Sequence, residues 1–149
     1  MTKQLVTKFG EFWQRSDIFE VKHGRVNWTE RGWPEKNPPL KGARGIYVLY
    51  CGTTPVYVGK AVKGKKGSSP IANRLSKHAQ DWYSHAWDNV SWFHFDETVP
   101  NAYIEAVEAI LIANISGTLN GALPSSHLGK RCFPGNDKNF AKNTLWQKS

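Results

Sequence analysis

The sequence predicts a mixed α/β fold of the α+β kind, and three observations predict it. Gly45 to Tyr50 and Val56 to Lys60 alternate in apolar character with the two-residue period of sheet, across a short turn. Val90 to Phe95 alternates in the same way. Between and after these segments, residues 70 to 82 and 102 to 115 carry apolar side chains at helical spacing or in a near-continuous run. A length of 149 residues suits one domain, since about 100 to 200 residues is the usual span.

Taken in order, residues 4 to 19 place Leu5, Phe9, Phe12, Trp13 and Phe19 at partly helical intervals, which predicts a short amphipathic helix within an N-terminal helix-and-loop region, 1 to 42. Trp33-Pro34, Asn37-Pro38-Pro39 and Lys41 to Arg44 form the loop that leads into the first strand. That strand sets Ile46, Val48 and Tyr50 against Tyr47 and Leu49; the second sets Val56 and Val58 against Tyr57. Residues 51 to 55, CGTTP, read as the hairpin turn. A register pairing odd with odd residues would bring Tyr47 and Tyr57 to one face, but the turn alone does not fix that register. Taken alone, strand tyrosines are more often core or half-buried packing than chemistry.

Past the hairpin, residues 63 to 69, KGKKGSS, form a cationic loop, either simply solvated or touching phosphate. Ser69 followed by Pro70 is a helix start: a hydroxyl suited to cap, then proline at the first helical position. This helix is expected to reach about Trp82. In the third strand Val90, Trp92 and His94 share one face and Ser91, Phe93 and Phe95 the other. After Pro100 a helix from Ala102 to about Ile115 is closed by Ser116-Gly117. The remainder, 123 to 149, is rich in Gly, Pro, Ser and Lys and is expected to wrap the core without large regular elements.

Twenty Lys and Arg against twelve Asp and Glu give a formal charge of +8, which favours polyanionic partners, nucleic acid first. No apolar run is long enough to span a membrane and no signal-peptide core follows Met1, so a cytoplasmic protein without membrane association is expected. Two cysteines, Cys51 and Cys132, are too few for a disulfide scaffold or a cysteine zinc site and are expected as reduced thiols.

Two groupings could carry chemistry. Arg74 and His78 are four residues apart, so they lie one turn apart on one helix face beside the apolar stripe Ile71, Leu75, Ala79 and Trp82. A guanidinium there can fork onto a phosphate, although such pairs at a helix rim are common. Glu108 sits between Val107 and the run Ala109 to Ile112, where an ionised carboxylate is costly to bury without a cation or donor. Two readings stay open: a divalent ion held by that carboxylate with water and phosphate, as magnesium prefers, or a helix rim facing water.

In this order, Gly45-Ile46-Tyr47, Tyr57-Val58-Gly59, Arg74, His78, Glu108 and Asn120 resemble the GIY-YIG nuclease domain, closest in spacing to the N-terminal incision domain of bacterial excision-repair nuclease. The resemblance covers about 43 to 122. It implies a small three-stranded antiparallel sheet flanked by helices, here with N- and C-terminal extensions, and a divalent-metal-dependent DNA endonuclease. Glu108 would hold a single Mg2+ or Mn2+. Tyr57 resembles the tyrosine that acts as general base or positions water, with Tyr47 in the same cluster. Arg74 would clamp the scissile phosphate, His78 would hydrogen-bond or relay a proton, Lys60 would add positive charge at the substrate, and Asn120 would brace the site. DNA is the implied partner, and a homodimer follows if both strands are cut. Glu105 rivals Glu108 for the metal position, His85 is a minor candidate, and the stretch from Gly59 to Arg74 is longer than in compact members. A phenol with an ordinary pKa of about 10 is a poor base at neutral pH, so Lys60, Arg74 or the metal must favour its anion, or His78 must take the proton. The competing reading is a nucleic-acid-binding or assembly module that keeps the fold without cutting.

Overall fold

A computed structural model describes residues 4–23, 25–29, 39–62, 67–79 and 87–115. Asn120, His85, Cys132 and the wrapping segment 123 to 149 lie outside the described residues, as does most of the cationic loop. The strands are β1 (Val6–Gln14), β2 (Phe19–Lys22), β3 (Arg25–Trp28), β4 (Gly45–Cys51), β5 (Thr54–Ala61) and β6 (Asn89–Phe95); the helices are α1 (Arg15–Ile18), α2 (Pro70–His78) and α3 (Asn101–Asn114). Four strands form one antiparallel sheet in the order β1-β6-β4-β5, and β2 and β3 form a separate hairpin.

The expected N-terminal helix is instead an edge strand, so the expected three-stranded sheet has four strands. The physical reason lies in the pairing of β1 with β6. Its register shifts between Val6 and Lys8 and again between Gly10 and Trp13, and Phe12 takes a positive φ of 48°. Each irregularity throws the alternation out of phase, so the apolar residues fall three and four apart and imitate a helix. Strand β6 offers an open edge whose backbone groups need partners, and that tertiary demand overrides the local pattern.

The two faces of the sheet carry separate cores. On one, Tyr47, Leu49, Val90 and Trp92 pack under Ile71, Ala72, Leu75 and Ala79 of α2, with Trp87 and Ile18 closing the side. On the other, Ile46, Val48, Val58 and Phe95 pack against Ile104 of α3, flanked by Phe93, Val107 and Leu111. The predicted facing of β6 is thus observed, with Trp92 and Phe95 on opposite sides. Full burial of each Leu or Ile side chain contributes about 1.5–3 kcal/mol, so the two clusters dominate the fold's stability.

Three devices position the elements that matter. The Ile71 N–H donates to Ala43 O at 3.0 Å, and the Gly42 N–H donates to Ser69 Oγ at 2.9 Å, pinning the start of α2 to the loop before β4. Ser69 therefore uses its hydroxyl on that loop and makes no side-chain cap to its own helix, contrary to the sequence expectation; Pro70 does open the helix. The Arg44 guanidinium donates to Asp96 O (2.9 Å), Val99 O (2.9 Å) and Asn101 Oδ1 (2.8 Å), fixing the entry to α3. Arg15, 4% exposed, lies 4.6 Å over the Trp87 ring and donates to the Trp87 carbonyl at 3.2 Å, which offsets the cost of burying its charge. Cys51 is disulfide-bonded, against the expectation of a reduced thiol. Among the described residues no helix is long and apolar enough to cross a membrane.

Candidate active site

The pairing of β4 with β5 is odd with odd: Tyr47 faces Gly59 and Leu49 faces Tyr57. That register sets Tyr47 and Tyr57 diagonally on the α2 face, their rings 6.1 Å apart and 25° from parallel. Both glycines of the paired motifs have a packing reason. A Cβ at Gly59 would come within 2.3 Å of the Tyr47 ring and hydroxyl, because the ring lies across the bare backbone. At Gly45, with φ of 148°, a Cβ would meet the Phe93 carbonyl oxygen at 2.2 Å.

Helix α2 brings His78 over the two phenols. The rings of Tyr57 and His78 are 4.8 Å apart and those of Tyr47 and His78 5.6 Å, and Tyr47 Oη lies 2.8 Å from His78 Nε2. Burial pushes the Tyr47 phenol well above its ordinary pKa and the neighbouring Tyr57 adds to this; Arg74 pulls the other way and loses. Tyr47 therefore stays protonated at neutral pH, and its hydroxyl shares a hydrogen bond with His78 Nε2.

Arg74, one turn before His78, stands at the exposed rim of the same helix face. Partial burial works against its charge, but the two phenols more than offset that and hold the guanidinium above its ordinary pKa. His78, by contrast, is 4% exposed and belongs to the core.

Lys60 leaves β5 on the α3 side, and there it meets both acidic candidates. Its Nζ lies 3.3 Å from Glu105 Oε1 and 3.9 Å from Glu108 Oε1. Glu108 is the enclosed one, 18% exposed against 47% for Glu105. Burial raises the Glu108 pKa; Lys60 and Arg74 lower it in part, and Glu105 reinforces the rise. The rival readings of this glutamate thus meet in the middle: it is neither a free solvent-facing rim residue nor a carboxylate without a cation.

Tyr47, Tyr57, Arg74 and His78 gather on one side of the edge strand β5, while Glu108 and Lys60 reach its end from α3 and the other face. Comparison with known proteins returns no matching family model, no matching curated protein and no matching solved structure. Among the described residues no three His, Cys, Asp or Glu side chains converge to cage a metal. The donor set, one enclosed carboxylate at an open position, fits a hard divalent cation that keeps most of its water and takes phosphate oxygens, and does not fit zinc. That Glu108 is strained when ionised and already leans on the Lys60 ammonium is the observation that supports such a fit.

Beside the tyrosine cluster a pocket of about 410 Å³ opens between the end of β5, α2 and α3. Lys60, Arg74 and Glu105 line it, and so do Asn73 and Lys77, which sequence reasoning did not single out. The signal was present: both lie within one turn of Arg74 on the polar side of α2.

Proposed function

We propose that the protein is a divalent-metal-dependent DNA endonuclease of the GIY-YIG type. The observation that carries this reading is the convergence of a buried Tyr47–His78 pair, a partly exposed Tyr57 and the Arg74 guanidinium on one side of strand β5, with an enclosed carboxylate, Glu108, at the strand's end. Phosphodiester hydrolysis needs a deprotonated water, neutralised nonbridging oxygens and help for the leaving oxygen, and these residue types supply those parts.

In this mechanism Arg74 binds the scissile phosphate and opposes the charge that develops on it; the raised pKa keeps it cationic throughout. Tyr47 is excluded as a base by its retained proton, so it orients His78 through Nε2. Tyr57, the partly exposed phenol of the pair, positions the attacking water; it first releases its own proton to solvent beside the Arg74 guanidinium, and the phenolate so formed takes the water's proton and returns to the neutral phenol. A magnesium or manganese ion bound through Glu108, water and phosphate oxygens would supply Lewis-acid stabilisation. Lys60 sits at the same carboxylate and adds positive charge where substrate approaches. The +8 net charge supports a polyanionic substrate.

The test is nicking of supercoiled plasmid with magnesium or manganese by wild type, Glu108→Ala and Arg74→Ala. Metal-dependent nicking by wild type that both variants lose supports the reading. DNA binding by wild type without cleavage of any DNA form would leave the non-catalytic binding module in its place.

A further inference from the structure

We propose that Lys77 and Asn73 form a second phosphate subsite, which takes the phosphate next to the scissile one on the DNA strand being cut. This rests on the nuclease reading for which phosphate is scissile, but its physical basis is independent of cleavage.

On α2 the buried row, Ile71, Leu75 and His78, faces the tyrosines, while Asn73 and Lys77 stand four residues apart on the solvent side. Roughly one helical turn, about 6 Å at 1.5 Å per residue, separates them along the axis, and both side chains line the same pocket. Neither tyrosine nor His78 lines that pocket; Arg74 belongs to both, coupling to the phenols on one side and lining the cavity on the other. A phosphate held by Arg74 at the tyrosines therefore leaves the pocket open for its neighbour on the chain.

The charges favour an anion there. Lys60, Arg74 and Lys77 against Glu105 leave two net positive charges in the lining, and the single carboxylate is already engaged by Lys60 at 3.3 Å. Among the described residues the side chains of Lys77 and Asn73 have no ion-pair or hydrogen-bond partner, so their donors are available. An ammonium and an amide supply up to five donor hydrogens, the complement of a nonbridging phosphate oxygen pair.

The experiment measures equilibrium binding of a fluorescein-labelled duplex oligonucleotide in EDTA, where no cleavage occurs, as a function of salt. Each phosphate neutralised contributes about 0.9 to the slope of log K against log salt. Lys77→Ala is expected to lower the slope by about 0.9, and Lys77→Gln to match it. Asn73→Ala weakens binding without changing the slope, and Lys8→Ala, on the far edge strand, keeps the wild-type slope. An unchanged slope in Lys77→Ala, or an equal fall in Lys8→Ala, overturns the subsite even if wild type cuts DNA. A Lys77-dependent slope in a protein that never cuts keeps the subsite and removes the hydrolase.

Discussion

The Tyr47 ring lies across the backbone of Gly59, so close that a Cβ there would stand 2.3 Å from its hydroxyl oxygen. Strand pairing sets these two residues directly opposite each other, and the hydroxyl that passes over Gly59 is the one that bonds His78. The glycine is what lets a buried phenol reach a helix on the same face. Gly59→Ala should displace Tyr47 and cost about 1–3 kcal/mol, the usual range for overpacking a filled core. Urea denaturation measures it. Because the clash is with the ring as well as the hydroxyl, the alanine should cost less in a Tyr47→Leu background, which removes both; strict additivity of the two changes would mean that the close approach is not the cause.

Tyr47 and Tyr57 differ in what they can do although they share a face. Burial and the neighbouring phenol hold the Tyr47 proton far above the ordinary tyrosine range. An alkaline absorbance titration should therefore show a tyrosine that fails to ionise before the protein unfolds, and Tyr47→Phe should remove it. If Tyr47→Phe instead removes a tyrosine of ordinary pKa, Tyr47 is available as a base and the assignment of that role to Tyr57 falls. With cleavage as the readout, Tyr57→Phe should lose most of the rate at saturating substrate, of the order of 10²–10⁴-fold for loss of general-base help.

Much of this arrangement was legible in the residues. The two-residue alternation located β4, β5 and β6, and the four-residue step from Arg74 to His78 placed both on one side of α2. What escaped had physical causes. Strand β1 was hidden because its bulges convert a period of two into intervals of three and four, and because its partner, β6, is some eighty residues away, beyond any local pattern. The Ser69 hydroxyl looked like a helix cap, since sequence spacing cannot show that Gly42 competes for it. Helix α3 is a near-continuous apolar run in the sequence, yet it buries only Ile104 completely and leaves Ile110 61% exposed. Composition counts apolar residues and does not say how many sides of a helix are covered.

Glu108 should cost stability in the metal-free protein at neutral pH. Its folded pKa lies above the ordinary 4.5, with burial the leading cause. The folded state therefore binds more protons than the unfolded in that window. The group's stabilising contribution is complete below 4.5 and is lost as pH rises through the folded value. Glu108→Gln removes that loss, and Lys60 keeps Glu105 as its partner. The variant should melt higher than wild type at pH 7 without metal, with the gap closing as pH falls toward 4.5. Magnesium should raise the wild-type melting temperature and leave Glu108→Gln unchanged, since the neutral amide is a poor ligand. A glutamine variant less stable than wild type at pH 7 would contradict the strain assigned to this carboxylate.

His94 predicts a pH dependence of the opposite sign. Its Nδ1 accepts the backbone N–H of Arg44 at 3.0 Å, directly before the first glycine of β4, so the neutral ring is part of how that strand is docked. Burial lowers its pKa, and Lys8 and Arg44 lower it further, while Glu97 and Asp96 oppose them. The unfolded chain thus binds the proton more readily. Stability is complete above the ordinary 6.5 and is lost as pH falls from there through the folded value. His94→Asn keeps an acceptor at the position of Nδ1 but cannot titrate, so it should lower stability overall through lost packing and flatten its pH dependence below 6.5. Denaturation midpoints taken across that range read both effects. Because Arg44 also fixes the entry to α3, the acid-sensitive contact ties β6 to the residue that joins the strand carrying Tyr47 to the start of the helix carrying Glu108, and acid should loosen both together. If wild type and His94→Asn lose stability in parallel below pH 6.5, the acid sensitivity arises from another group.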